Sequence, residues 1–178
     1  MNGVKVKFDS KKLQEALFKQ LSLEQTTRLI AYAKEQIQSI GDDISVAPTT
    51  NNLDRTGNLL DSLCWGVYYN ATLKDYGYYR TESATEDSYL HEFSRPKGML
   101  VNGHNLAQNF IATYTPTTTK GWEVFFAVLA PYWGYWEKGF SMPITGMKFR
   151  WQVMAHHWDK VKRDLQPSNV TFRNYIPS

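Results

Sequence analysis

The chain has one cysteine, Cys64, in 178 residues. A single thiol cannot close an intrachain disulfide, so the fold makes no demand for an oxidising compartment. Cys64 lies in the apolar run Leu63-Cys64-Trp65, where a buried, inert thiol is expected rather than a nucleophile. No run approaches the roughly 18 apolar residues of a membrane span, and the first residues, MNGVKVKFDSKKLQ, lack an apolar signal-peptide core. A phosphate-cradling glycine loop is missing, as are paired metal-ligand cysteines and a nucleophile-elbow serine. The net charge of +3 is too small to argue for nucleic acid by itself. No zinc-finger, basic-zipper or RNA-recognition signature is present.

Histidine is also sparse: His91, His104, His156 and His157. On a helix, the adjacent pair His156 and His157 point about 100° apart and do not share a metal readily. His91, beside Glu92, and His104 are the remaining candidates for a metal or a hydrolytic site, with solvated loop residues as the simpler reading. Carboxylate pairs such as Asp42-Asp43 and Glu86-Asp87 fall in polar stretches that solvation explains.

What the chain does have is aromatic residues: 6 Trp, 11 Tyr and 9 Phe. Rings on this scale fill a core and also dominate protein–protein surfaces, so some are expected to await a neighbouring subunit. Basic residues are concentrated late, at Lys148, Arg150, Lys160, Lys162 and Arg163. These form either a solvated helix face or a surface facing DNA or an acidic partner.

Periodicity predicts an α+β fold in one domain spanning residues 1–178. A short strand is expected over residues 4–8, then a helix from Asp9-Ser10 to about residue 21. Ser22 and Gln25 resemble a capping box for a second helix. Its apolar face carries Leu23, Thr27, Ile30, Ala33 or Lys34, Ile37 and Ile40, and Gly41 is expected to stop it. Thr56 can cap a short helix over residues 57–63, followed by a strand over 65–69. Residues 71–106, rich in Thr, Ser, Glu, Asp and Tyr, read as a long insertion or loop. A hairpin is expected next: Phe110, Ala112 and Tyr114 alternate with polar neighbours, Pro116–Gly121 forms the tip, and Trp122–Leu129 returns as a central strand. Residues 130–139 form an aromatic turn. Met147, Trp151, Met154, Trp158, Val161 and Leu165 then mark an amphipathic helix closed by Pro167. The expected architecture is an antiparallel sheet with a long hairpin, packed by N-terminal and C-terminal amphipathic helices.

Two segments occur in a suggestive order. Leu53-Asp54-Arg55-Thr56-Gly57-Asn58-Leu59-Leu60-Asp61-Ser62-Leu63 follows the N-terminal helical region and precedes a strand. Ala130-Pro131-Tyr132-Trp133-Gly134-Tyr135-Trp136-Glu137-Lys138-Gly139 follows the second hairpin strand. This order resembles the tail-completion, or head–tail joining, family of long-tailed bacteriophages. There a "TGNL…S" turn-helix follows the first helix and a "PY…EFG" segment closes the sheet. The matching residues are Thr56, Gly57, Asn58, Leu59, Ser62, Pro131, Tyr132, Glu137 and Gly139. The chain departs at Leu60 and Asp61, where the family often has basic residues, and at Lys138-Gly139-Phe140 after the glutamate.

The resemblance implies a non-enzymatic virion protein without a cofactor, assembled in the host bacterial cytoplasm. It would oligomerise into a six-fold ring at the neck or tail. The ring would join the head connector or adaptor to the tail-tube or terminator proteins, and DNA would pass unread through its lumen, with no membrane involved. The 71–106 stretch and the tip, with Pro116, Thr118 and Lys120, are the expected assembly contacts, together with Trp133 and Trp136. Either element is expected to be removable without loss of folding. A tail terminator or other tail subunit, a small hydrolase and a nucleic-acid-binding module are the alternatives.

Overall fold

The computed structural model describes residues 10–46, 57–80, 88–89, 100–130, 140–141, 148–149 and 153–176. The strand expected at 4–8 and all but the first residue of the aromatic turn at 130–139 lie outside the described residues; of the loop that the polar composition of residues 42–54 predicts, residues 42–46 are instead the last turn of the N-terminal helix and the rest lie outside. The α+β class stands. The central element is a four-stranded sheet ordered β2-β1-β5-β8, built from β1 (Leu63–Tyr69), β2 (Thr72–Tyr78), β5 (Trp122–Val128) and β8 (Thr171–Tyr175). Its first two pairings are antiparallel and β5–β8 is parallel. Two short ladders stand apart from it: β3 (Ser88–Tyr89) with β4 (Leu100–Val101), and β6 (Phe140–Ser141) with β7 (Lys148–Phe149).

The N-terminal region is one helix, α1 (Ser10–Val46), rather than two. Ser22 caps nothing; its carbonyl accepts the Thr26 hydroxyl at 2.7 Å within a continuous helix. Gly41 does not stop the helix either. It is buried, and a Cβ there would lie 2.2 Å from the Tyr79 ring, so glycine serves close packing and not a cap. The buried face is Leu29, Ala33, Ile37, Ile40 and Ile44. Leu23 and Thr27, expected on that face, are exposed.

The hairpin is β1–β2, not the pair expected around Pro116–Gly121. Asn70 and Ala71 join its strands with φ of 50° and 60°, the double positive-φ turn whose twist matches the strands it connects. The 71–106 stretch therefore supplies a sheet strand. Residues 103–113 form a helix, α3 (Gly103–Thr113), where a strand was expected from 110 onward. The alternation of Phe110, Ala112 and Tyr114 masks a stronger spacing. Ala107 and Ile111 are buried, and Leu106, Phe110 and Tyr114 flank them at intervals of four. Asn102 caps the helix by accepting from the Asn105 amide at 3.0 Å. Pro116–Gly121 thus links a helix to a strand.

Strand β5 is covered on both faces, as its near-continuous apolar run predicts. Val124, Phe126 and Val128 join Leu63, Trp65 and Val67 beneath α1 and the C-terminal helix α4 (Val153–Leu165). Phe125 and Ala127 join Cys64 and Tyr68 beneath α3. Helix α4 contributes Trp158, Val161 and Leu165, the last three members of the expected stripe; Met147 and Trp151 lie outside the described residues. A 3-10 turn at Gln166–Ser168 containing Pro167 ends that helix. It leads to β8, which sequence periodicity did not reveal. Phe172 of β8 packs on Trp158 and Phe126, with ring centroids 5.5 and 6.1 Å apart. Among the described residues, no helix is long and apolar enough to cross a membrane.

Candidate functional site

The resemblance-bearing segment forms α2 (Asn58–Asp61), a single buried turn. Gly57 sits at its N-cap with φ 78°, a conformation that glycine adopts without a Cβ penalty. The Asn58 side chain accepts the Gly103 amide at 2.9 Å, tying α2 to the start of α3. The two backbones approach so closely that a Cβ on Gly103 would lie 2.1 Å from the Asn58 carbonyl oxygen. Leu59 is fully buried in the core. Ser62 donates to the Leu59 carbonyl at 2.7 Å and accepts the amides of Leu129 and Ala130 at 3.3 and 3.0 Å. Ser62 therefore couples the first motif to the residue that opens the second. Buried Asp61 receives Arg80 at 3.3 Å, which gives it a local structural role. Thr56, Pro131, Tyr132, Trp133, Trp136, Glu137 and Gly139 lie outside the described residues.

At the opposite end of the sheet, Glu123 is a fully buried carboxylate near the start of β5. Its Oε1 accepts the Tyr114 hydroxyl at 2.7 Å. Its Oε2 accepts the Thr117 amide at 3.0 Å, the Thr117 hydroxyl at 2.8 Å and the Thr118 amide at 2.8 Å. Burial alone would raise the carboxyl pKa, but hydrogen bonds from Tyr114, Thr117 and Thr118 outweigh it and hold the group below the ordinary range. Burial pushes the Tyr114 phenol up, and its bond to Glu123 adds to the rise. Arg173 of β8 donates to the Thr117 hydroxyl at 3.0 Å. Gly121 and Asn70 exchange hydrogen bonds at 2.8 Å, linking the connection to the β1–β2 turn. Pro116 and Thr118, expected to be assembly contacts, are half-buried in this pinned connection, while Lys120 is exposed. Removing 116–121 would take away three of the four donors to the Glu123 carboxylate, and removing 71–106 would delete β2, half of the turn leading to it and the start of α3. Neither deletion is a neutral probe of assembly.

The reactive candidates do not converge. His104, in the first turn of α3, packs on Tyr78 with ring centroids 4.8 Å apart and planes tilted by 50°, its Nε2 3.0 Å from the Gln108 amide nitrogen. His156 is exposed, whereas His157 is buried with Nε2 2.8 Å from Asp43 Oδ2, bridging α4 to the end of α1. His91 lies outside the described residues. Among the described residues, no group of three His, Cys, Asp or Glu side chains could hold a metal. Cys64 is fully buried, and burial pushes its thiol far above the ordinary range, so it is not a ready nucleophile. The basic cluster is dispersed as well. Lys160 donates to Gln36 of α1 at 3.2 Å, while Lys162 and Arg163 are exposed; helical spacing keeps Arg163 within about 60° of Lys160 and turns Lys162 about 160° away from it. Lys148 is a β7 residue, and Arg150 lies outside the described residues.

Among the described residues, exposed large apolar side chains lie in three places: the N-terminal turns of α1, strand β2 and strand β8. Leu73 and Tyr76 pair across from Tyr68 and Gly66, on the α3 side of the sheet. Tyr175 lies on the same side, packed on Phe110 with ring centroids 4.8 Å apart and planes tilted by 42°. A bulge between Val67 and Tyr68 leaves Lys74 as the extra residue on β2, a device that discourages indiscriminate strand pairing. The sequence signals for these edges were weak, because an edge strand is polar along much of its length. Glu123 did leave a signal: it is the one charged residue in the apolar run Trp122–Ala130. Comparison of the chain with family models, with curated proteins and with solved structures gives no match.

Proposed function

We propose that the protein is a structural assembly subunit, and specifically a head–tail joining subunit of a long-tailed bacteriophage that works as a ring in the virion neck or tail. One observation carries the reading: the sheet ends in two unlike edges, and both bear exposed apolar side chains on the same face. Leu73 and Tyr76 on one copy, set against Tyr175 on the next, form a head-to-tail contact between different surfaces. Repetition of such a contact closes a ring when its rotation permits. The braced α2 turn and the Glu123 knot support this mechanical role, since both hold the sheet ends rigid. Exposed Lys162 and Arg163 offer positive charge to passing DNA without base readout.

The test is electron microscopy of lysates from a phage lacking this gene, complemented with either the wild-type chain or Tyr76→Asp. Without complementation, filled heads and unjoined tails are expected; wild type restores joined particles and Tyr76→Asp does not. Normal particles without the gene would refute the joining role. Full rescue by Tyr76→Asp would refute the β2 edge as the contact.

A further inference from the structure

The two edge strands of the sheet match each other in direction, in face and in hydrogen-bond parity. Strand β1 is antiparallel to β2 and to β5, and β5 is parallel to β8, so β2, β5 and β8 all run the same way. The β8 edge of one copy, laid beside the β2 edge of another with both sheets facing the same way, therefore meets it as a parallel pair. Parallel pairing sets a further condition. Of two opposed residues, one turns its amide and carbonyl towards the partner strand and the other turns them away.

The inner bonds of each edge strand fix which residues turn outward. The Tyr79 amide donates to the Leu63 carbonyl at 3.1 Å, so Leu63 and, by alternation, Trp65 and Val67 face β2, opposite Gly77 and Asp75. The main-chain groups of Tyr76 and Tyr78 consequently point out of the sheet. The intervening Cys64, Gly66 and Tyr68 face Ala127, Phe125 and Glu123 of β5. Val124 and Phe126 are left facing β8, and their opposed residues, Phe172 and Asn174, turn outward. Tyr76, Tyr78, Arg173 and Tyr175 share the α3 side of the sheet, while Gly77 and Asn174 share the α1 side. Setting Asn174 opposite Gly77 keeps every residue on its own face and places the outward Asn174 between the outward Tyr76 and Tyr78. Had β8 turned Arg173 and Tyr175 outward instead, no register would have met both conditions. Among the described residues, the outer side of each strand has no main-chain partner beyond the Tyr76 amide's bond to the Asp75 carboxylate at 3.0 Å.

We infer that copies of this chain join by main-chain pairing, with β8 of one adding as a parallel strand to the β2 edge of the next. The inference rests on the ring reading and names how its contact forms. The bulge at Lys74 confines the pairing to the flat half of β2 beyond it. There, either Asn174 or Phe172 can stand opposite Gly77, and the Arg173 guanidinium meets the Tyr76 ring in the first register and the Tyr78 ring in the second. Strand β8 carries this cation and no acid, so pairing with itself would gather like charge, whereas β2 offers two rings and Asp75.

The experiment uses full-length variants that each disable one edge. Proline at an outward position deletes an outward amide and is tolerated on an edge strand. Asn174→Pro therefore disables the β8 edge and Tyr76→Pro the β2 edge. In light scattering, wild type should grow beyond a dimer as concentration rises. Each variant alone should be a monomer with the wild-type circular dichroism spectrum. Their equimolar mixture should give a 1:1 dimer and nothing larger, because one intact β2 edge meets one intact β8 edge. Asn174→Ala, which keeps the amide, should assemble as wild type does. Hydrogen exchange adds a measurement without proline: the Asn174 and Tyr78 amides should be protected in the wild-type assembly and unprotected in dilute monomer. Unprotected amides in the assembly overturn the inference even where a proline variant fails to fold. So does a monomeric wild type, a mixture of folded variants that stays monomeric, or a variant that dimerises alone, the mark of an edge pairing with itself. If Tyr76→Asp abolishes assembly and Asn174→Pro does not, the side-chain contact stands and the strand pairing falls. If the mixture dimerises but particles form normally without the gene, the pairing stands and the joining role falls.

Discussion

Replacing Glu123 measures how much of the fold hangs on one buried carboxylate. In Glu123→Ala, the amides of Thr117 and Thr118 and the hydroxyls of Thr117 and Tyr114 lose their shared acceptor. A stranded donor costs about 1–3 kcal/mol, but a half-buried connection can recruit water for some, and removing a buried charge returns part of the loss. The expected net cost is about 3–5 kcal/mol. In Glu123→Gln, an amide oxygen can replace Oε2 and the Tyr114 hydroxyl can turn to accept from the new amide. Only the charge assistance is lost, at about 1–2 kcal/mol. Urea unfolding followed by tryptophan fluorescence reads both. With a slope of about 2 kcal/mol/M, the alanine midpoint should fall by about 2 M and the glutamine midpoint by less than half as much. Acid adds a second signature. The folded pKa of Glu123 lies below the ordinary value of 4.5, so its stabilisation is full above that value and fades as pH falls through the lower folded pKa. The gap between wild type and Glu123→Gln should therefore close in acid. An alanine cost under about 1 kcal/mol, or a gap that ignores pH, would refute the claim that this carboxylate pins the connection.

Two further substitutions probe the motif. Ser62→Ala strands the amides of Leu129 and Ala130 in the core and should cost about 2–4 kcal/mol; Ser62→Thr, which keeps the hydroxyl, should recover part of this in the same denaturation assay. Gly103→Ala should be the more damaging of two glycine replacements, because its Cβ would meet the Asn58 backbone, whereas in Gly41→Ala the Cβ would meet a side chain, the Tyr79 ring, which can yield at the expense of its hydroxyl's bond to Asp42. Paired thermal melts should show a loss of several degrees for Gly103→Ala and a smaller one for Gly41→Ala, about 1 kcal/mol of which is offset by alanine's helix propensity. Equal losses would refute that ranking.

Much of the architecture could be read from pattern because the elements involved are amphipathic in one consistent sense. Trp122–Val128 advertises a strand buried on both faces, and Trp158, Val161 and Leu165 advertise a helix with one buried face. The errors arose where two periodicities overlap. Phe110, Ala112 and Tyr114 satisfy a strand's alternation while Ala107 and Ile111 satisfy a helix's, and only the Asn102 cap decides between them. Strand β2 escaped because one long edge faces solvent, so its composition resembles a loop. Gly41 misled because glycine serves both as a helix stop and as a contact point, and sequence does not separate the two. In the candidate site, Asn58, Leu59 and Ser62 were recognisable as part of a short helical turn, although its N-cap is Gly57, with no side-chain cap, and not the expected Thr56. Their partners, Gly103 and Ala130, come from far along the chain, and local spacing does not encode such pairings.

The length of α1 has a mechanical consequence. Its 37 residues make a rod of about 55 Å, of which roughly 18 Å projects past the sheet. No proline interrupts it, and a helix without proline curves only gently. A sideways force on Leu13 therefore does not dissipate in a bend. It is delivered as torque to the far end, where Asp42 holds the Tyr79 hydroxyl at 2.9 Å and Asp43 holds His157 at 2.8 Å. Those two bonds tie the rod to the end of β2 and to α4. The projecting turns are thus the short arm of a lever whose longer arm ends at an edge of the sheet, and whatever grips one end sets the angle of the other.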